Sequence, residues 1–136
     1  MKENKIGGQY STPIILPEQE VLKEWLDYNG HMNVAYYTLA FDKSLDIFLE
    51  DLLGIGESHA YENNQGPFVV QAHYHYLNEM RLNEKFNVRL FVIDCDKNKM
   101  HLCLEIYSLL QKKVISVVEQ VLSLIHISEP TRLHLI

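Results

Sequence analysis

A change of hydrophobic period constrains this chain more than any other feature. From about Asn33 to Leu53, apolar residues recur at helical spacing. Val34, Tyr37, Phe41, Leu45, Phe48 and Leu52 are separated by three, four, four, three and four positions. Asp42, Lys43, Asp46, Glu50 and Asp51 fall off that stripe. Asn33 is a natural N-cap and Gly54 a natural stop, so the spacing predicts one helix of ~30 Å. Tyr36, Leu39, Ala40, Ile47, Leu49 and Leu53 widen its apolar surface, which predicts a helix wrapped by other structure. Residues 54–67 read as a loop, and beyond them the period becomes two. Phe68–Tyr76, Phe86–Asp94, Met100–Leu110 and Val114 to about Leu122 are rich in Val, Ile, Phe and Tyr and predict strands. Asp96–Lys99 and Gln111–Lys113 look like hairpin turns, so the strands they join should pair antiparallel. Upstream, Pro13 and Pro17 argue against regular structure over 1–17, and Glu20–Leu26 reads as a short strand or a helical turn. One early element, one long helix and four strands describe an α+β domain, a sheet curled over one helix.

Composition narrows the function. The 136 residues suit a single domain, and 47% of them are hydrophobic. A net charge of −6 gives no global footprint for nucleic acid. No apolar run approaches the ~18 residues of a membrane helix, so neither nucleic acid nor membrane is expected as a partner. Met1–Lys5 shows no apolar stretch of the signal-peptide kind, and the two cysteines, Cys95 and Cys103, sit in apolar strand-like segments. A reducing, cytoplasmic setting is the expectation. From about Ser123 the sequence resembles a translated sequencing-adapter read-through. The domain is therefore expected over 1–122, with 123–136 a non-native tail and the true C-terminal end missing. The alternative is that Ser123–Ser128 extend the last strand as far as Pro130.

Polar groups concentrate at the helix entrance, in Asp27-Tyr28-Asn29-Gly30-His31-Met32-Asn33-Val34. The first turn of a helix presents unpaired N–H groups and the positive end of the macrodipole. Such a site can polarise a carbonyl and hold the oxyanion formed when that carbonyl is attacked. Asp27, just upstream, is the candidate general base on water, or the nucleophile itself through an acyl anhydride. Gly30 lets backbone approach a substrate closely. On turn chemistry alone, Asp27, Asn29 and Gly30 equally describe a tight turn, and Asn33 a simple cap.

Asp-Tyr-Asn-Gly-His-Met-Asn followed by Tyr36-Tyr37 and a long apolar helix resembles the hotdog-fold acyl-CoA thioesterases of the 4-hydroxybenzoyl-CoA thioesterase type. Their D-x-x-G-H-[MV]-N signature matches Asp27, Gly30, His31, Met32 and Asn33. The resemblance runs over roughly residues 20–122, through Phe41-Asp42, His73 and Tyr76-Leu77. It looks strongest toward the betainyl-CoA thioesterases of carnitine breakdown. It implies a hotdog fold, a five-stranded antiparallel sheet wrapped around one long central helix. It also implies a homodimer or dimer of dimers with sites between protomers, and metal-free, cofactor-free hydrolysis of acyl-CoA. By the same resemblance Asp27 is catalytic, while Gly30, His31, Met32, Asn33, Val34 and His73 bind substrate. Several family members place their catalytic aspartate two residues earlier. This chain has Trp25 there, which leaves Asp27 as the motif's carboxylate.

Other residues read less specifically. Tyr36 and Tyr37 suggest packing. His73 and His75 share a strand face, but no further ligands complete a metal site. Glu79 reads as a second site carboxylate or a solvated charge. Arg81, Lys85, Arg89, Lys97 and Lys99 are candidates for the CoA phosphates. Tyr28, Tyr36, Tyr74 and Tyr76 could offer cation–π contacts to a quaternary acyl group. Two competing functions remain at this level. An enoyl-CoA hydratase of the same fold uses a D-x-x-x-x-H element, one residue longer than the Asp27–His31 spacing. A non-catalytic acyl-binding domain is the other, since fold does not fix function.

Overall fold

A computed structural model describes residues 13–56 and 65–126. The N-terminal Met1–Lys5 segment, much of the expected loop and the tail beyond His126 lie outside the described residues. The elements, in chain order, are β1 (Ile14–Ile15), β2 (Gln19–Glu20), a 3₁₀ turn (Lys23–Trp25) and α1 (Val34–Ile47). A π-helical turn (Phe48–Leu52) follows, then β3 (Gln65–Tyr76), β4 (Lys85–Cys95), β5 (Lys99–Ser108) and β6 (Lys113–His126). The sheet is antiparallel in the order β1-β4-β5-β6-β3, with β2 also on β4. Both β1 and β2 lie along β4, one on each side of Pro17, so they occupy one interrupted edge position. Five sheet positions against one helix meet the expected architecture.

Alternation sorts the side chains. Tyr74, Val118, Leu104 and Leu90 align across β3, β6, β5 and β4 on the face that packs against α1. The helix buries Tyr37, Ala40, Phe41, Ser44 and Leu45 there, and the π-turn adds Phe48 and Leu49. The apolar members of this set, with Phe86, Val88, Leu102, Ile106, Ile115 and Leu122, belong to one hydrophobic core among the described residues. Register shifts between Val69 and Gln71 and between Val92 and Asp94 supply the local twist by which a sheet curls. Gln19 ties the edge to the helix, its Nε2 donating to the Ala40 carbonyl and to Ser44 Oγ at 2.9 Å each.

Several expectations need correction. Pro13 and Pro17 do not exclude a strand between them, because Ile14 and Ile15 pair with Leu90 and Arg89. Within segment 20–26 the helical-turn alternative holds at Lys23–Trp25, as a 3₁₀ turn, while Glu20 closes β2. The regular helix stops at Ile47 rather than Leu53, and its final turn is π-helical. Gly54, at φ +70°, follows as the expected stop. Nor is the helix wrapped all round within the chain, since Val34, Leu39, Leu52 and Leu53 are exposed. Strand β5 ends at Ser108, and Lys112 takes the positive φ of the β5–β6 turn. Strand β6 continues through Ser123 to His126, paired with Phe68 to Gln65.

Candidate active site

The motif folds as a miniature hairpin, and its hydrogen bonds explain each residue type. Asp27 N–H donates to the His31 carbonyl at 2.8 Å, and Gly30 N–H returns to the Asp27 carbonyl at 3.0 Å. Asp27 Oδ1 accepts the N–H groups of Asn29 at 2.8 Å and His31 at 3.3 Å. Gly30 sits at φ +79°, a conformation only glycine adopts without strain. The second arm is then clamped to the segment after β3. Met32 N–H donates to the Met80 carbonyl at 2.9 Å, and His31 bridges Arg81. Asn33 caps α1, its side chain accepting from Ala35 N–H at 2.9 Å.

This bonding leaves one backbone donor over. The N–H groups of His31, Met32 and Asn33 are taken by Asp27 Oδ1, the Met80 carbonyl and the Trp25 carbonyl. Ala35 N–H is taken by the cap. Among the described residues only Val34, of His31 to Ala35, has an N–H with no acceptor, and it stands at the positive end of α1. Oδ2 of Asp27 likewise has no hydrogen-bond partner among the described residues.

Asp27 and Val34 both line a cleft of about 360 Å³, together with His31, Tyr37, Tyr76 and Glu79, among others. Its far wall comes from the end of β3 and the segment after it. The Ile115 carbonyl, at the β6 register shift, accepts Leu77 N–H at 2.8 Å and Asn78 N–H at 3.2 Å. Tyr37 donates its hydroxyl to the Asn78 carbonyl at 3.4 Å and meets Tyr76 edge-on, ring centroids 5.3 Å apart. Burial, reinforced by the carboxylates of Glu79 and Glu84, pushes the Tyr37 hydroxyl up to about 12. It therefore stays a neutral donor at any ordinary pH. Glu79 closes the cleft, with Oε1 2.7 Å from His31 Nδ1.

The expected site residues divide. Asp27, His31, Met32 and Val34 line the cleft, although Met32 also buries its side chain in the core. Gly30 and Asn33 shape the loop and the cap instead of lining it. His73 lies elsewhere. Tyr74 and Tyr76 face the helix, so strand parity turns His73 to the opposite side of the sheet. There it shares a separate depression with His101 and Glu119. Within one chain His73 therefore does not line the cleft that holds Asp27. Among the described residues no cluster of three or more His, Cys, Asp or Glu is placed to hold a metal. From sequence alone Tyr37 reads only as packing. Its position one turn after the cap is the signal that could have placed it in the cleft.

Of the candidate cations, Arg81 pairs through its backbone with His31, a residue of the cleft. Lys85 stands 3.8 Å from Glu18, Arg89 stacks on Tyr107, and Lys97 and Lys99 belong to the β4–β5 turn. Trp25 is buried and stacks on Tyr36. Cys95 pairs with Met100 and Cys103 with Phe91, and both are free thiols.

Comparison with known proteins agrees with this architecture. Residues 21–133 match the model of the Thioesterase-like superfamily. The betainyl-CoA thioesterase of Pseudomonas aeruginosa is 27% identical over 111 residues, covering 82% of this chain and 68% of that protein. The L-carnitine dehydrogenase/betainyl-CoA thioesterase of Rhizobium meliloti is 29% identical over 113 residues, covering 82% of this chain but 22% of that protein. Among solved structures, the Staphylococcus aureus hypothetical protein SAV2348, in complex with CoA, superposes with a TM-score of 0.78 at 24% identity. That match covers 88% of this chain and 74% of the other. A DHNA-CoA thioesterase from Staphylococcus aureus gives a TM-score of 0.74 at 17% identity, covering 84% and 74%. At these identities the structures show a shared fold, the hotdog. Because the family model spans most of the chain, from the 3₁₀ turn through the last strand, the chain belongs to the Thioesterase-like superfamily.

Proposed function

We propose that this chain hydrolyses an acyl-CoA thioester to the free acid and CoA, with Asp27 as the catalytic group. The observation that carries the reading is that one cleft is lined by Asp27, whose Oδ2 has no hydrogen-bond partner among the described residues, and by Val34, whose helix N-terminal N–H has no acceptor there. Asp27 takes a proton from water as the water oxygen bonds to the carbonyl carbon. Val34 N–H holds the resulting oxyanion. The C–S bond then breaks, and the departing sulfur receives the proton as thiol. Direct attack by Asp27 gives an acyl anhydride that water opens to the same products. Met32 and Val34 lie against the acyl group, while Gly30 and Asn33 act by shaping the loop.

The acyl group we favour is betainyl or another quaternary ammonium, which places the reaction in carnitine breakdown. Tyr37 and Tyr76 present aromatic rings beside the Glu79 carboxylate in the cleft, a setting suited to a cation without N–H donors. The named activities of the curated relatives point the same way. Arg81 is the cation best situated for a CoA phosphate.

A homodimer joined at β3 is part of the same reading. Strand β3 ends the sheet, and Phe68 and Val70 are 54% and 50% exposed. A long apolar edge of this kind invites pairing with a second copy, and His73 would then reach a site through the partner. The free cysteines fit a reducing cytoplasm. No helix among the described residues is long and apolar enough to cross a membrane.

The test incubates the protein with a panel of acyl-CoAs, including betainyl-CoA, and follows free thiol and free acid. Release fastest with betainyl-CoA supports the full proposal. Release confined to uncharged acyl groups removes the quaternary substrate, and binding without release removes hydrolysis. Sedimentation as a monomer under assay conditions contradicts the β3 dimer.

A further inference from the structure

Glu79 and His31 form a pair that the hydrolytic reading does not itself require. Oε1 of Glu79 stands 2.7 Å from Nδ1 of His31. An ionised carboxylate only accepts hydrogen bonds, so Nδ1 must carry the hydrogen. That leaves Nε2 as the ring atom without a partner, on a residue that lines the cleft. Glu79 is 65% exposed and His31 25% exposed, so Glu79 contributes little packing and its contact is chiefly this bond.

The backbone that carries Glu79 is held from beneath by a buried carboxylate. Glu84, 6% exposed, accepts from the Ser108 hydroxyl at 2.6 Å, Gln111 Nε2 at 2.6 Å and Arg81 N–H at 3.0 Å. The same Gln111 Nε2 donates to the Glu79 carbonyl at 2.9 Å. Met80 and Arg81, the next two residues, are the ones that receive Met32 and His31. Loop and counter-loop are thus fixed in one frame, anchored at the β5–β6 turn.

The geometry points to Glu79 as a positioning residue that holds the His31 ring in its Nδ1–H tautomer, so that Nε2 faces the acyl-CoA in the cleft. Nε2 is then an acceptor when the ring is neutral, and a donor to the departing sulfur or the thioester oxygen when it is protonated. This rests on the hydrolase reading for its consequence in rate, but not for the tautomer itself.

The experiment compares the full-length wild type with Glu79→Ala. Long-range ¹H–¹⁵N correlation of the His31 ring reads the tautomer without substrate, and steady-state thiol release reads the rate. The wild type should show neutral His31 protonated on Nδ1, and Glu79→Ala should move the proton toward Nε2. Glu79→Ala should lower kcat about tenfold with KM within about twofold, at an unchanged melting temperature. Glu79→Gln, whose amide can donate as well as accept, should show mixed tautomers and an intermediate kcat. A wild-type ring protonated on Nε2, a tautomer unmoved in Glu79→Ala, or a kcat unaffected by that change overturns the proposal. Tautomer control without thiol release from any acyl-CoA supports the Glu79–His31 pairing while removing the hydrolase reading.

Discussion

Asp27 and His31 close the motif loop on each other: Asp27 N–H donates to the His31 carbonyl at 2.8 Å, and His31 N–H returns to Asp27 Oδ1 at 3.3 Å. One carboxylate oxygen is thus structural, while the other has no hydrogen-bond partner among the described residues, on a residue that lines the cleft. The two roles separate by substitution. Asn keeps an oxygen that accepts from Asn29 and His31 N–H, so Asp27→Asn should fold with near wild-type stability. Asp27→Ala removes both bonds and should cost about 1–2 kcal/mol. Urea unfolding of the two variants checks this; equal destabilisation would contradict the division.

Gly30 tests the loop from the backbone side. A Cβ added at this residue meets nothing within 4 Å, yet its φ is +79°. Gly30→Ala should therefore cost about 1–2 kcal/mol from conformation alone. The measurement is urea unfolding, and Gly30→Asn, which tolerates positive φ better, should recover part of the loss.

The buried Glu84 carboxylate predicts a larger effect. Glu84→Ala strands the Ser108 hydroxyl, Gln111 Nε2 and Arg81 N–H. Leaving several donors unsatisfied should cost about 2–4 kcal/mol. Glu84→Gln keeps acceptor capacity and should cost less. Thermal unfolding that ranks the two the other way would count against Glu84 as anchor.

Tyr37 makes a prediction at alkaline pH. Its hydroxyl is raised from 10.0 to about 12 by burial and by the carboxylates of Glu79 and Glu84. Between those values the unfolded chain loses a proton that the folded chain keeps. The stability is therefore intact below pH 10 and falls as pH rises toward 12, by roughly 2–3 kcal/mol. Tyr37→Phe should flatten that decline in urea melts between pH 9 and 11. An unchanged slope would contradict the assignment.

Much of this arrangement is legible from residue order, and what is not has physical reasons. The stripe Tyr37–Phe41–Leu45–Phe48 reads directly as the buried face of the helix because its spacing is local. The π-turn at Phe48–Leu52 is not legible, since one shifted hydrogen bond leaves the apolar spacing intact. Parity puts His73 and His75 on one face, but not which face. Only the packing of Phe41 on Tyr74 decides it. The Glu84 anchor depends on Ser108 and Gln111, more than twenty residues away, so no local pattern announces it. The pairing of β3 with β6 is hidden for the same reason. The turn and cap of the Asp27–Asn33 motif are legible because they lie within seven positions of one another, whereas Tyr76 and Glu79 reach the same cleft from distant sequence.

The most direct measurement is kcat/KM for thiol release from betainyl-CoA by the wild type and by Asp27→Asn, with folding of both verified by circular dichroism. A fall of at least about a hundredfold is expected with the fold intact. Comparable kcat/KM in a folded Asp27→Asn protein would contradict it.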